Sequence, residues 1–181
     1  MLARNADNLD GLAGKYEDAC AYQCDVGDLG VLVETISRIK AEMGAPAVVV
    51  HNALRSTRGS ILEMDPNDLE KNFRVNTTAL LFLARETIPA MLETGKGVIL
   101  VTGNPSATRG KTNWGFFAST KAAQRILAES IAREFGPRGI HVAYFIIDAA
   151  IDTPRTRPLI APDEPDEFFA KPPAIAEEMY R

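Results

Sequence analysis

Apolar residues in this chain fall into two kinds of segment: short unbroken runs, and longer stretches in which they return every three or four positions. Met1–Ala3 reads as the tail of a strand running into the polar Arg4-Asn5-Ala6-Asp7, and a short helix is expected from about Asn8 to Leu12. Ala19–Cys24 alternates as a short strand. The turn Asp25-Val26-Gly27-Asp28 follows and leaves Asp28 to cap the next helix. That helix lines up Leu32, Ile36 and Ile39, with Val33 and Met43 beside them, and stops at Gly44 just before Pro46. Ala47–Val50 is a continuous apolar run, the mark of a strand covered on both faces.

After a polar loop, His51–Ser60, the pair Asp65-Pro66 opens a long helix with Asp at the cap and Pro at its first position. Phe73, Asn76, Leu80, Leu83, Thr87 and Met91 lie along its inner side, and Gly95 and Gly97 end it. Val98–Val101 is a second fully apolar strand. The polar loop Thr102–Asn113 leads to a helix over Trp114–Phe135 with Ala123, Leu127, Ile131 and Phe135 as its stripe. Gly136 and Gly139 bracket the exit, and Ile140–Ile147 is a third apolar strand. Beyond Asp148 the chain is rich in Pro and acidic residues to about Pro165, and Pro172-Pro173 opens a last helix that runs to Arg181. Regular alternation of strand and helix predicts repeated βαβ units with right-handed crossovers, an α/β fold with a doubly wound parallel sheet between two helical layers.

Composition narrows the function more than the fold. With 181 residues, 46% hydrophobic and 24% charged, the chain suits one core. A net charge of −4 offers no reason to expect nucleic acid as partner, and no apolar run approaches the length of a membrane span. The N-terminus has no basic segment followed by an apolar one, so it does not read as a signal peptide. Cys20 and Cys24 have three residues between them rather than the two of a redox or zinc motif. They read as buried reduced thiols, which fits the cytoplasm. With His51 and His141 the only histidines, no metal site is expected.

In an open parallel sheet, ligands bind beyond the carboxyl ends of the strands. The loops to read are therefore Asp25-Val26, His51-Asn52-Ala53, Thr102–Asn113 and Asp148–Thr153. Gly110-Lys111-Thr112 mimics the end of a P-loop, but the glycine needed five residues earlier is Pro105, which has no amide hydrogen for a phosphate. Phe117-Ala-Ser-Thr-Lys121 resembles the Tyr-x-x-x-Lys signature of the short-chain dehydrogenase/reductase family, with Phe in place of Tyr. Four further segments follow in that family's order. Asp25-Val26 resembles its adenine-contacting pair, and His51-Asn52-Ala53-Leu54 its Asn-Asn-Ala-Gly turn. Asn76 matches the asparagine of its catalytic tetrad. Ile151-Asp152-Thr153-Pro154 resembles the segment whose threonine reaches the nicotinamide amide. Taken singly, each residue has a plainer role: Asn76 as a helix asparagine, Asp25 as a turn residue, Lys121 as a surface lysine, Phe117 as core. Asn52 and Thr153 stay ambiguous even within the joint pattern, which spans about Met1 to Thr153.

The resemblance implies a Rossmann-like fold, NAD or NADP as cofactor, and hydride transfer to or from a small-molecule carbonyl or alcohol. It places Arg4, Asp25, Val26, Asn52, Ala53, Lys121 and Thr153 at the cofactor. Arg4, near the end of the second strand, leans the choice toward NADP. It places Asn76, Phe117 and Lys121 at the reacting centre, with Asn104 or Ser106 at the family's serine position. By analogy the two long helices pair between subunits in a homodimer or homotetramer.

The sequence also departs from the family. Phe117 has no hydroxyl to move a proton, although the family uses a tyrosine there, and Lys121 or Asp148 is left as a substitute. No Gly-x-x-x-Gly-x-Gly occurs, so the resemblance implies a single incomplete domain over residues 1–181 that lacks the first βα unit, with its substrate-loop region, about 152–181, cut short. Three readings follow: a truncated and catalytically impaired oxidoreductase, a non-catalytic binding or regulatory module, or an enzyme with a non-standard acid.

Overall fold

The computed structural model describes residues 1–154, 156–160 and 162–181, the side chains of Asn8 and Ile160 excepted. The chain opens with β1 (Leu2–Ala3), α1 (Ala6–Ala13), β2 (Tyr22–Gln23) and α2 (Leu29–Met43). It continues with β3 (Val48–His51), then α3 (Pro66–Phe73) and α4 (Ala79–Thr94), which a π-helical turn at Arg74–Thr78 joins into one rod. β4 (Gly97–Gly103), α5 (Gly115–Phe135) and β5 (Ile140–Ile146) follow. A tail of short elements ends the chain: β6 (Ala150–Ile151), α6 (Thr156–Ile160), β7 (Phe169–Ala170) and α7 (Pro172–Tyr180). The expected caps form. Asp28 accepts from the Val31 amide at 3.1 Å and Asp65 from the Asn67 amide at 2.9 Å.

All strand pairs are parallel, and the architecture is the Rossmann-like α/β fold that the alternation predicts. β3, β4 and β5 form one ladder in that order, over which Ile99 and Val101 pack with Leu80, Ala84, Met91, Ala128, Ile131 and Ile140. β1 and β2 pair separately, and Cys24 behind them packs with Leu32, Ile36 and Ala79. Among the described residues the two ladders share no backbone bonds. Between them lies a cleft of about 1560 Å³, lined from one side by Met1–Arg4 and from the other by Val48–Arg55.

This cleft corrects one expectation about burial. Val48 and Val50 are 54% and 52% exposed, so β3 is not covered on both faces. They line the cleft, where no described element packs on them. The ladder explains the unpaired edge. Val98 donates to the Ala47 carbonyl, and parallel alternation then turns Val49 and His51 toward β4 and the Val48 and Val50 amides toward the cleft. A second correction concerns the thiols. Both cysteines are free, but Cys20 is exposed and only Cys24 is buried, because Cys24 packs against Leu32, Ile36 and Ala79 while Cys20 has no place in that cluster.

These placements predict unequal costs of substitution. Ile99→Ala, at a fully buried site, is expected to lower unfolding free energy by about 2–5 kcal/mol. Val50→Thr, facing the cleft, is expected to change it by about 0.5 kcal/mol or less. Urea denaturation of the two variants checks this, and a large cost at Val50 would mean that β3 is covered in solution.

Candidate functional site

The carboxyl ends of β3 and β4 meet the N-terminal half of α5 and the π-helical turn, and a buried polar network joins them. At its centre is Asn76, which has no exposed surface. Its side-chain amide donates to the Arg55 carbonyl at 2.8 Å and to Thr120 Oγ1 at 2.9 Å, while its Oδ1 accepts from the Arg55 amide at 2.9 Å. Its own carbonyl accepts from Gln124 Nε2 at 2.6 Å and from His51 Nε2 at 3.2 Å. The π turn, in which the Ala79 amide reaches back to Arg74, widens the rod at this point. Asn76 thus fixes the loop after β3 to the rod and the rod to α5.

His51 must carry its proton on Nε2, because its partner is a carbonyl that only accepts. Burial is the main cause that lowers its pKa, from 6.5 to about 4, and the nearby Lys121 charge adds to the effect. Lys121 is 2% exposed, and its Nζ donates to the Thr102 carbonyl at 2.7 Å. Burial pushes its pKa down to about 8, so its ammonium is held with one of three donors used among the described residues. Tyr144 reaches over β4 to donate to the Lys121 carbonyl at 3.3 Å, and burial pushes its pKa up to about 12. A Cβ at Gly103 would collide with the Tyr144 ring, so the strand end must be glycine for that ring to cross it.

The residues singled out in the sequence do not gather in one place. Arg4, Asp25, Val26, Asn52 and Ala53 all line the cleft between the two ladders. Asp25 Oδ1 accepts from the Gly27 amide at 2.9 Å, and Asn52 Oδ1 accepts from the Thr102 hydroxyl at 2.9 Å, which ties the loop after β3 to the end of β4. Asn76, Phe117 and Lys121 belong to the buried junction. Phe117 is 3% exposed, and its ring lies 5.5 Å from that of Trp114. Asn104 caps a short turn through the Ser106 amide at 3.0 Å, and Ser106 lines a small surface depression with Thr108, Ala118, Ser119 and Ala122. Thr153 lies elsewhere again: its hydroxyl accepts from the Thr156 amide at 3.0 Å and starts α6. Asp148 is exposed and has no hydrogen-bond or ion-pair partner among the described residues.

Thr120, Gln124, His51 and Tyr144 are the members of this junction that sequence reasoning missed as site residues. One signal was available: Thr120, Lys121 and Gln124 lie near the apolar residues Phe117, Ala128 and Ile131 on the helix, where polar side chains need partners. Among the described residues no group of three or more His, Cys, Asp or Glu could hold a metal ion, and no helix is long and apolar enough to cross a membrane.

The neutral His51 predicts a pH dependence. Its folded pKa lies below the unfolded value, so the unfolded chain takes up the proton first as pH falls. The stability it contributes is fully present above about pH 6.5 and is lost toward pH 4, on the order of 3 kcal/mol in all. Urea denaturation at pH 7.5 and pH 4.5 is expected to show a smaller pH effect in His51→Gln than in the parent chain. Equal effects would contradict a neutral buried imidazole.

The chain is similar to known proteins in sequence and in fold. The chain is 29% identical over 149 residues to an uncharacterized short-chain type dehydrogenase/reductase of Sinorhizobium fredii, covering 78% of this chain and 59% of that protein. It is 28% identical over 174 residues to the oxidoreductase UcpA of Escherichia coli, covering 94% and 63%. It thus spans roughly half to two-thirds of the length of such relatives. In fold it is similar to the crystal structure of a gluconate 5-dehydrogenase from Burkholderia cenocepacia in complex with NADP and tartrate, with a TM-score of 0.80 at 22% identity over 93% of this chain and 66% of that one. Residues 1–163 match the family model for short chain dehydrogenases, and the chain belongs to that family.

Proposed function

We propose that this chain is the larger part of an NAD(P)-dependent oxidoreductase acting on a small carbonyl or alcohol, a single incomplete domain whose missing strand fills the cleft between β1 and β3. The observation that carries the reading is the cleft itself. Two parallel edges face it, and the residues matched to the cofactor's adenosine end, Arg4, Asp25, Val26, Asn52 and Ala53, line it. Arg4 is exposed and has no ion pair among the described residues, which favours a ribose 2′-phosphate and hence NADP. NADP in the Burkholderia relative supports the same choice.

The fit is good at the adenosine end. At the pyrophosphate the described chain offers no glycine-rich turn of backbone amides. A nicotinamide cofactor supplies the hydride. Around it this chain's residues would bind and orient: Lys121, with one ammonium donor used among the described residues, would hold a ribose, and Thr153, whose hydroxyl is bonded to Thr156 at the start of α6, is the residue matched to the carboxamide contact. What the junction lacks is a proton donor. Phe117 occupies the place matched to the family's tyrosine, and general acid–base catalysis is worth roughly 10²–10⁴-fold. The chain therefore reads as a catalytically impaired member. Exposed Leu81 on α4 and Ile126 on α5 support pairing of those helices between subunits, in a dimer or tetramer.

A second reading, a non-catalytic module that binds the cofactor, rests on Phe117 being buried and packed against Trp114. One experiment separates the readings: NADPH titration, followed by melting shift and by hydride transfer to a panel of ketones. It is applied to this chain and to the same chain preceded by a strand, glycine-rich turn and helix. The longer form is expected to bind much more tightly, and Phe117→Tyr within it is expected to raise turnover by roughly 10²–10⁴-fold. Binding with no turnover even after that substitution would establish the module instead. Micromolar binding by the present chain alone would remove the cleft's claimed role.

A further inference from the structure

The two loops that enter the junction, residues 52–60 and 104–113, carry Arg55, Arg58, Arg109 and Lys111 and no Asp or Glu, in a chain of net charge −4. Arg55 is paired, at 3.1 Å from Asp68. Arg58, Arg109 and Lys111 have no ion pair among the described residues, and all three are exposed. Two of them converge on a single indole. The Arg58 guanidinium carbon lies 4.0 Å from the centre of the Trp114 ring, and Lys111 Nζ lies 6.0 Å from it. The indole attracts each cation through its π face, so one ring holds two positive side chains from different loops.

The arrangement is fixed by the backbone. The Gly59 amide donates to the Asn113 carbonyl at 3.0 Å, one residue from each end of the pair Arg58 and Trp114. The Trp114 amide donates to the Lys111 carbonyl at 3.1 Å, and Asn113 between them holds a left-handed φ of 63°. Trp114 in turn packs on Phe117, the position matched to the reacting centre.

We propose that Arg58, Lys111 and Trp114 form a receptor for an oxyanion, a carboxylate or phosphate carried by the substrate, held one aromatic ring from the carbonyl to be reduced. The assignment of this anion to a substrate rests on the oxidoreductase reading above; the anion site itself does not. A guanidinium presents paired N–H donors that match a carboxylate or phosphate, and the ammonium adds charge from the neighbouring loop. Substrates of the site would then be keto or hydroxy acids, or their phosphorylated counterparts, rather than neutral ketones.

Trp114 is the only tryptophan in the chain, so its indole N–H gives a single resonance that reports on this spot alone. The isotopically labelled chain is titrated with sodium glutarate in one series and with inorganic phosphate in another, at ionic strength held constant with chloride. A saturable shift of that resonance is expected with one or both anions, and the series that saturates identifies the anion class. Arg58→Ala combined with Lys111→Ala is expected to weaken binding roughly tenfold or more, while Arg58→Lys keeps part of it. A shift that does not saturate, that chloride alone reproduces, or that survives the double substitution would overturn the site. No cofactor or turnover is involved, so failure here leaves the oxidoreductase reading standing, and loss of hydride transfer leaves the anion site standing.

Discussion

β3 is hydrogen-bonded on one side only, and much of the molecule is arranged by that fact. Its inner edge is held by β4 through Val48–His51 in register with Val98–Val101. Its outer edge faces a cleft whose far wall is a two-residue strand, β1, itself paired only to β2. Unpaired backbone groups tolerate water but not burial, and two apolar side chains of β3, Val48 and Val50, stand open to the cleft. Asp25 and Asn52, which the proposed function assigns to the cofactor's adenosine end, lie on opposite walls of this cleft. Whatever closes the sheet would also set the distance between them. Sheet closure and cofactor grip are one structural question here.

The buried polar junction is organised independently of that edge. Asn76, Thr120, Gln124 and His51 bind one another across segments far apart in sequence, and Lys121 is buried beside them. The network bonds the loop after β3 and the rod to α5, and Lys121 ties α5 to the end of β4, all without any contact across the cleft. Under the proposed function, the missing hydroxyl at Phe117 is thus a separate matter from the open edge: Phe117 is buried in the junction and packed on Trp114.

Much of the frame was legible in the sequence. The alternation of apolar runs and helical stripes predicted the order of the main elements, and Asp28 and Asp65 cap where their positions suggested. Burial on the outer side of β3 was not legible, because an apolar run reports what a strand prefers and not whether a neighbour is there to cover it. The stripe on α5 was read as Ala123, Leu127, Ile131 and Phe135, whereas the deepest residues include Thr120, Lys121 and Gln124. A search for apolar periodicity passes over polar residues that are buried because they bond to Asn76, 44 and 48 positions earlier. The small pairing of β6 with β7, and the α6 turn started by Thr153, likewise depend on contacts that no local pattern announces.

Amide hydrogen exchange along β3 tests the open edge most directly. The account predicts slow exchange at Val49 and His51, which bond toward β4, and exchange roughly 100-fold or more faster at Val48 and Val50, which face the cleft. Equal protection at all four amides would show that the outer edge is paired in solution, and would contradict an open cleft between the two ladders.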